Sequence, residues 1–367
     1  MISWCKNCLN ASTRPRIEFD HRGWCNACQW MEEKKSLNWA KRESELHELL
    51  EKHRGKGDFD CIVTVSGGKD GSYVAHTLKS RYGINALCLT VRPPMPLELG
   101  DKNLISFINS GFEHIHVSVN QESMRILDRI GFLDFGQGYY GWLIAIHTAV
   151  LRIANSFGIN LVFYSEDGEI EYGGSTERKN IATYGIEYMK KAYLNSTYDH
   201  VIKESGLSKQ ELYWFEFDPS LYKEMSGLDV THFSYYEAWD PYRNYLVAKE
   251  FCGLEEYQDG VVGTFTNFAQ NDQELASLHY YLMYLKFGFG RATQDAGIEI
   301  RRGAMTREQA INLVNIYDNQ PPVQGFERYA KYYGISLREF LGVLDKFANK
   351  DLFEKVDGYW KPRFVVT

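Results

Sequence analysis

Four cysteines fall within the first 28 residues as Cys5-x2-Cys8, sixteen residues, then Cys25-x2-Cys28. Two residues between thiolates let one tight turn aim both sulfurs at a tetrahedral ion, and the returning chain supplies the other pair. This is the spacing of a paired-knuckle zinc site, with an iron–sulfur cluster or redox dithiols as the alternatives. Four thiolates close the shell, so the expected role of the metal is structural. A second signal is Ser66-Gly67-Gly68-Lys69-Asp70-Gly71-Ser72. Glycines let backbone N–H groups approach an anion, Lys69 neutralises charge, Asp70 offers a carboxylate to Mg2+, and the Ser66 and Ser72 hydroxyls donate hydrogen bonds. The spacing is neither that of a Walker loop nor G-x-G-x-x-G. A third is the acidic stretch Ser165-Glu166-Asp167-Gly168-Glu169-Ile170-Glu171-Tyr172-Gly173-Gly174, in which Glu166 and Glu171 could accept a proton or bind hydroxyls; a solvated acidic loop is the alternative. The fourth is Lys286-Phe287-Gly288-Phe289-Gly290-Arg291, two cations beside two glycines. It suits a diphosphate clamp, or else is a loop between helices with incidental charges.

Residues of this kind need a scaffold, and the intervening pattern supplies one. Cys61–Val65, Ala86–Val91, Ile115–Val119 and Leu161–Tyr164 read as short buried strands. Helical spacing fills the gaps, with Val74 and Leu78, Leu104 and Ile108, Leu127 and Ile130, and a long stretch near 141–157. The alternation predicts an α/β fold of βαβ units with a parallel sheet, whose ligands bind beyond the carboxyl ends of the strands. The glycine turn follows the first strand, with helical spacing beginning at Ser72, and the acidic stretch follows the fourth. Residues 1–35 read as a metal-binding module of turns and short strands, 36–56 as a charged linker helix, 57–268 as the α/β domain and 269–367 as a helical C-terminal region. Capping boxes at Thr306-x-x-Gln309 and Ser336-x-x-Glu339 open two of its helices. His76, His114, His116 and His147 read as structural.

Composition narrows the function class. The 367 residues are 44% hydrophobic and 24% charged, which excludes wholesale disorder and fibrous repeats. A net charge of −7 without a basic stripe favours a small anionic substrate over nucleic acid. No apolar run has the length of a membrane span, so no membrane insertion is expected. The segment Met1-Ile2-Ser3-Trp4-Cys5 shows no export signal, so the expected location is the cytoplasm, where cysteines are metal ligands or buried thiols.

The glycine turn resembles the SGGxDS loop of the PP-loop ATP pyrophosphatases, which cut ATP between the α and β phosphates and transfer AMP. It departs at Gly71, where that loop carries serine. The resemblance implies a five-stranded, HUP-like doubly wound sheet, ATP held by Ser66, Gly67, Gly68, Lys69, Asp70, Gly71 and Ser72, and adenine against the backbone near Thr90 and Val91. Together with the cysteine pairs, the segments SGGKDGSYV, GEIEYGG and KFGFGRAT…EIRRG…TREQA resemble the N-acetyl sugar amidotransferases of bacterial surface-polysaccharide (lipopolysaccharide, O-antigen) biosynthesis. That family implies adenylation of the N-acetyl carbonyl oxygen of a nucleotide-linked sugar, attack by ammonia, and release of AMP to leave an acetamidino group. Lys69, Asp70, Glu166 and Glu171 would then be catalytic, and Glu169, Tyr172, Gly173, Lys286 and Arg291 would bind the acceptor. Ile2 rather than Cys follows Met1, and Cys61, Cys88 and Cys252 lie in no G-x-C-x-G elbow. The family therefore implies separate glutaminase and barrel-type subunits that deliver ammonia. A PP-loop tRNA-thiolating enzyme and a non-catalytic nucleotide-binding scaffold are the rival readings.

Overall fold

The computed structural model describes residues 2–218 and 227–367. Five strands, β1 (Cys61–Thr64), β2 (Ala86–Val91), β3 (His114–Val117), β4 (Leu161–Tyr164) and β5 (Asp229–His232), form one sheet in the order β3-β2-β1-β4-β5, with every adjacent pair parallel. Alternate side chains leave opposite faces of a strand. Ile62, Leu87, Leu89, Val162 and Val230 accordingly enter one apolar core with residues of helices α5 (Gln121–Phe135) and α6 (Tyr140–Ser156). Cys61, Val63, Cys88, Leu161 and Phe163 enter the other, with α2 (Trp39–His53), α3 (Lys69–Tyr82) and α4 (Glu98–Asn109). This is the doubly wound sheet expected. Among its strands β5 had no clear sequence signal: Asp-Val-Thr-His carries one aliphatic residue, and this edge strand needs only one neighbour.

From β1 the chain winds outward through β2 to β3, then returns to lay β4 on the opposite side of β1. The segments leaving β1 and β4 therefore diverge from adjacent strands at the switch point, where such sheets open a crevice. The glycine turn leaves β1 there and the acidic stretch leaves β4. Helix α3 begins at Lys69, not at Ser72, so Lys69 and Asp70 lie in its first turn. Gly71 packs against β1 so tightly that a Cβ would lie 2.7 Å from the Thr64 carbonyl oxygen. That contact explains the departure from serine. The acidic stretch closes into α7 (Gly168–Tyr172), ended by Gly173 at φ +95°.

The N-terminal module is more helical than expected. Bridges pair Trp4 with Ala11 and Phe19 with Cys25, after which α1 (Asn26–Lys34) starts directly from the second cysteine pair. Helix α2 follows as predicted, capped by Asn38. Beyond α7, helices at Leu275–Phe287, Arg291–Arg301, Arg307–Tyr317, Phe326–Tyr333 and Leu337–Phe347 make up most of the C-terminal region, and both capping boxes are formed. The C-terminal region is mainly helical, as expected, and its last segment adds an antiparallel hairpin, in which Phe353–Val356 and Tyr359–Pro362 pair around Asp357-Gly358. Apolar clusters tie these parts together. Phe132 and Tyr139 pack with Leu275, Leu282 and Tyr333, and Trp4 and Leu9 pack with Phe289, Ala296 and Val314. Among the described residues no helix is long and apolar enough to cross a membrane.

Gly67 has φ +78°, and a Cβ there would lie 2.4 Å from the Leu104 backbone nitrogen. Gly67→Ala is expected to destabilise the fold by about 1–3 kcal/mol through strain and overpacking. A urea titration checks this: the midpoint should fall while the slope stays the same.

Candidate functional site

A cavity of about 380 Å3 opens over the carboxyl ends of the central strands, lined by Ser66, Gly68, Lys69, Asp70, Gly71, Thr90, Val91, Glu166, Tyr172 and Arg291 among others. Gly68 caps α3 without a side chain, so no side-chain oxygen competes for the N–H groups of the first turn, where an anion is favoured. The Lys69 ammonium pairs with the Asp70 carboxylate. Asn244, fully buried on the helix Pro241–Cys252, donates from Nδ2 to Asp70 Oδ1 at 3.0 Å. This array fits a polyphosphate: backbone donors and an ammonium for phosphate oxygens, and a hard carboxylate for the accompanying Mg2+. Ser72 is the exception. It is completely buried behind the turn, outside the cavity lining, and its hydroxyl has no hydrogen-bond partner among the described residues, so Ser66 is the serine of the turn that faces the cavity. Gly67 is likewise absent from the lining and serves the packing against α4. Thr90 lines the cavity, but its hydroxyl is spent on the Val65 carbonyl (2.7 Å), and the Val91 carbonyl accepts from Trp142 Nε1 (3.1 Å).

A second cavity, of about 600 Å3, adjoins the first. Both are lined by Thr64, Tyr139, Trp142, Ile146, Tyr164, Ser165 and Glu166. Glu166 is thus the acidic side chain common to the two. Burial, reinforced by the Asp70 charge, pushes its carboxyl up to about 7, against the opposing pull of Lys69 and of the Tyr172 hydroxyl, which donates to Oε1 at 2.8 Å. The second cavity carries cations: Arg14, whose buried Nη1 has no partner among the described residues, Arg16, and Lys286. Burial pushes the Lys286 ammonium down to about 8, while it donates to the Gly136 carbonyl at 2.8 Å and to that of Phe135. His147, His232 and His279 line the same space, and burial pushes them down to about 4, 3 and 3, so all are neutral near pH 7.

The acidic stretch divides three ways. Glu166 faces both cavities. Glu169 lines the second, bound by Arg16 through two contacts of 2.6 and 2.7 Å. Glu171 lines neither: Lys34 holds it at 2.5 Å and Trp30 Nε1 at 3.0 Å, so the expected catalytic carboxylate instead fastens α7 to α1. Tyr172 lines the first cavity, and Gly173 lines neither. Lys286 and Arg291 also part company. Gly288, at φ +77°, ends one helix and Gly290 caps the next. Lys286 is left in the second cavity and Arg291 in the first, where Asp295 holds its Nε at 2.8 Å. They do not form one clamp.

Several residues of the site, lining it or supporting it from behind, had no usable signal. Asn244 is an ordinary helix residue until α3 is packed against it, and Gln270, Asn271, Asp272 and Gln273 carry no motif. His147, read as structural, reaches a cavity wall.

The four cysteine sulfurs lie within 4.8 Å of one another, fully buried, with Cys5–Cys28 at 3.7 Å and Cys8–Cys25 at 3.6 Å. Zn–S bonds of about 2.3 Å in a tetrahedron place sulfurs about 3.8 Å apart, so the cluster fits one tetrahedral ion. Each sulfur also faces an N–H group: the Cys25 amide for Cys5 (3.2 Å), the Asn10 amide for Cys8 (3.4 Å), Asn10 Nδ2 for Cys25 (3.3 Å) and Asn7 Nδ2 for Cys28 (3.3 Å). Such donors stabilise thiolates.

Residues 262–364 match the family described as "LPS biosynthesis protein WbpG-like, C-terminal domain". This C-terminal segment is therefore similar to that WbpG-like domain. It supplies Gln270, Tyr280 and Arg291 to the first cavity and His279, Met283 and Lys286 to the second. An uncharacterized protein, MJ1599, of Methanocaldococcus jannaschii is 32% identical over 89 residues, 24% of this chain. The chain spans about a third (32%) of that relative's length. Among solved structures, the NH3-dependent NAD synthetase of Campylobacter jejuni aligns over 52% of this chain and 93% of its own, at 15% identity and a TM-score of 0.30. The U34-tRNA thiolase NcsA of Methanococcus maripaludis, with its [4Fe-4S] cluster, aligns over 83% and 88%, at 15% identity and a TM-score of 0.32.

Two predictions follow from this geometry. Glu166 is neutral below about pH 7 and charged above it. The affinity for a non-hydrolysable ATP analogue, measured by calorimetry, should therefore fall as pH rises through 7, and Glu166→Gln should remove that step while keeping the analogue's own titration. Cys5→Ser should abolish stoichiometric metal in elemental analysis and lower the melting midpoint, because a structural zinc contributes about 10–16 kcal/mol of apparent binding energy in small modules.

Proposed function

We propose that this chain is the synthetase subunit of an ATP-dependent N-acetyl sugar amidotransferase. The observation that carries the reading is the pair of cavities meeting at Glu166. One offers the phosphate-binding turn, the other a cation-lined space for an acceptor, and one carboxyl serves both. In the first step the N-acetyl carbonyl oxygen attacks the α-phosphorus of ATP. The bond from that phosphorus to the bridging oxygen breaks, and pyrophosphate leaves. Ammonia then adds to the activated carbon, Glu166 as carboxylate takes one of its protons, and the carbon–oxygen bond breaks. AMP carries away the former carbonyl oxygen, and the acetamidino group remains. Lys69 and the first turn of α3 hold the phosphates as charge moves onto pyrophosphate. Mg2+, bound through Asp70, would offset the remaining phosphate charge. The WbpG-like domain covers the crevice and excludes water, which would otherwise hydrolyse the adenylate.

Arg14, Arg16 and Lys286 support an anionic, nucleotide-linked sugar as the acceptor. The sulfur spacing supports zinc, since a multi-iron cluster holds its thiolates farther apart. Ammonia is supplied by separate glutaminase and barrel-type subunits, and the site of action is the cytoplasm. The thiolation reading is disfavoured because no cysteine lines either cavity, and Cys61, Cys88 and Cys252 are buried, with burial raising all three thiols.

The test is a panel of nucleotide-linked N-acetyl sugars incubated with the chain, ATP and ammonium. AMP, pyrophosphate and a product in which one oxygen has become an NH are expected by mass spectrometry. Glutamine should not replace ammonium for the isolated chain. Asp70→Asn should slow pyrophosphate release by about a hundredfold or more. Pyrophosphate release stimulated by tRNA rather than by any sugar would overturn the assignment.

A further inference from the structure

The cysteine cluster meets the candidate site through α7. Asn10 lies in the first knuckle and is 2% exposed. Its side-chain NH2 donates to Cys25 Sγ at 3.3 Å and to the Tyr172 carbonyl at 3.0 Å, so one amide bridges a metal-ligating sulfur and the last residue of α7. Gly173 makes the approach feasible: a Cβ there would lie 2.5 Å from Asn10 Nδ2. A second tie runs from Asn26, between Cys25 and Cys28, to the Gly174 carbonyl at 2.7 Å. At the other end of Tyr172, the hydroxyl donates to Glu166 Oε1 at 2.8 Å. The charged groups of the glycine turn that act on Glu166 are Lys69 and Asp70.

We infer that Asn10 and Tyr172 are positioning residues through which the metal-loaded cysteine cluster sets the placement of Glu166. The Asn10 amide satisfies both acceptors only while Cys25 stays where its three partner cysteines and the ion hold it. If the cluster loosens, the Tyr172 backbone loses its anchor and the phenol its aim. The cluster then does more than staple a small module, because it fixes one hydrogen bond to the carboxyl common to both cavities. The inference rests on the proposed role of Glu166 for its functional meaning, but its geometry involves neither acceptor nor ammonia.

The experiment uses full-length, metal-loaded protein with isotope-labelled glutamate carboxyls. The Glu166 resonance is assigned by its loss in Glu166→Gln and followed against pH, without ATP or sugar, so failure of the amidotransferase reading leaves the readout intact. A hydroxyl that donates to a carboxylate favours the ionised form. Tyr172→Phe should therefore move the Glu166 midpoint to higher pH by roughly half to one unit. Asn10→Ala, with metal content verified by elemental analysis, should move it in the same direction. Gly173→Ala disturbs the same contact from the α7 side, leaves the knuckles untouched, and decides the matter if Asn10→Ala fails to retain metal. A wild-type midpoint in a metal-loaded Asn10→Ala or Gly173→Ala protein would overturn the coupling, and so would a wild-type midpoint in Tyr172→Phe.

Discussion

The rest of the site depends on where the sheet reverses direction. Strand β1 lies between β2, reached by the outward winding, and β4, laid down on the return. A parallel strand cannot turn straight back, so the segments leaving β1 and β4 must separate, and a crevice opens between them. The sequence places a glycine-rich helix entry after one of these strands and an acidic turn after the other. No contact between the two stretches is needed to bring them together. The sheet register brings them together, with Ile62 and Val63 of β1 opposite Val162 and Phe163 of β4.

Such a crevice would be wet unless something covered it, and covering it changes its chemistry. The WbpG-like segment supplies walls to both cavities, and α6 adds Trp142 and Ile146. Removal of water raises the Glu166 carboxyl and lowers the Lys286 ammonium, the same desolvation acting on opposite charges. Either group is then able to exchange a proton near neutral pH. A carboxylate with an ordinary pKa is a weaker base, so the cover tunes the carboxyl as well as shielding the site.

Legibility in the sequence followed the range of the forces involved. Strands β1 to β4, helices α2 and α6 and both capping boxes rest on local periodicity and local hydrogen bonds, and they were readable. The cysteine pairs and the glycine turn were readable because their chemistry demands residue types at short spacing. Strand β5 was not, since Asp229–His232 is a strand chiefly because β4 offers an edge. The fates of the acidic residues were not readable either. Glu166, Glu169 and Glu171 are chemically alike and lie within six residues, yet one faces both cavities, one pairs with Arg16 and one with Lys34. Those partners sit more than a hundred residues away in the chain. Lys286 and Arg291 looked like one clamp because spacing cannot show that two glycines turn successive helices apart.

The N-terminal module shows why a remote metal site can matter to a crevice it does not line. A five-residue helix cannot hold its own position in water, because the few hydrogen bonds it makes do not offset the cost of nucleation. Helix α7 is held from outside, by Asn10, Asn26, Trp30 and Lys34 of the module and by Arg301, which donates to the Glu171 carbonyl at 3.3 Å. Of these, Asn10 and Asn26 belong to the two knuckles, whose own order depends on four sulfurs converging. The placement of Tyr172 therefore depends in part on the cluster, and so does the hydrogen bond from its hydroxyl to Glu166. An ion held by all four sulfurs would in this way reach the Glu166 carboxyl through hydrogen bonds alone.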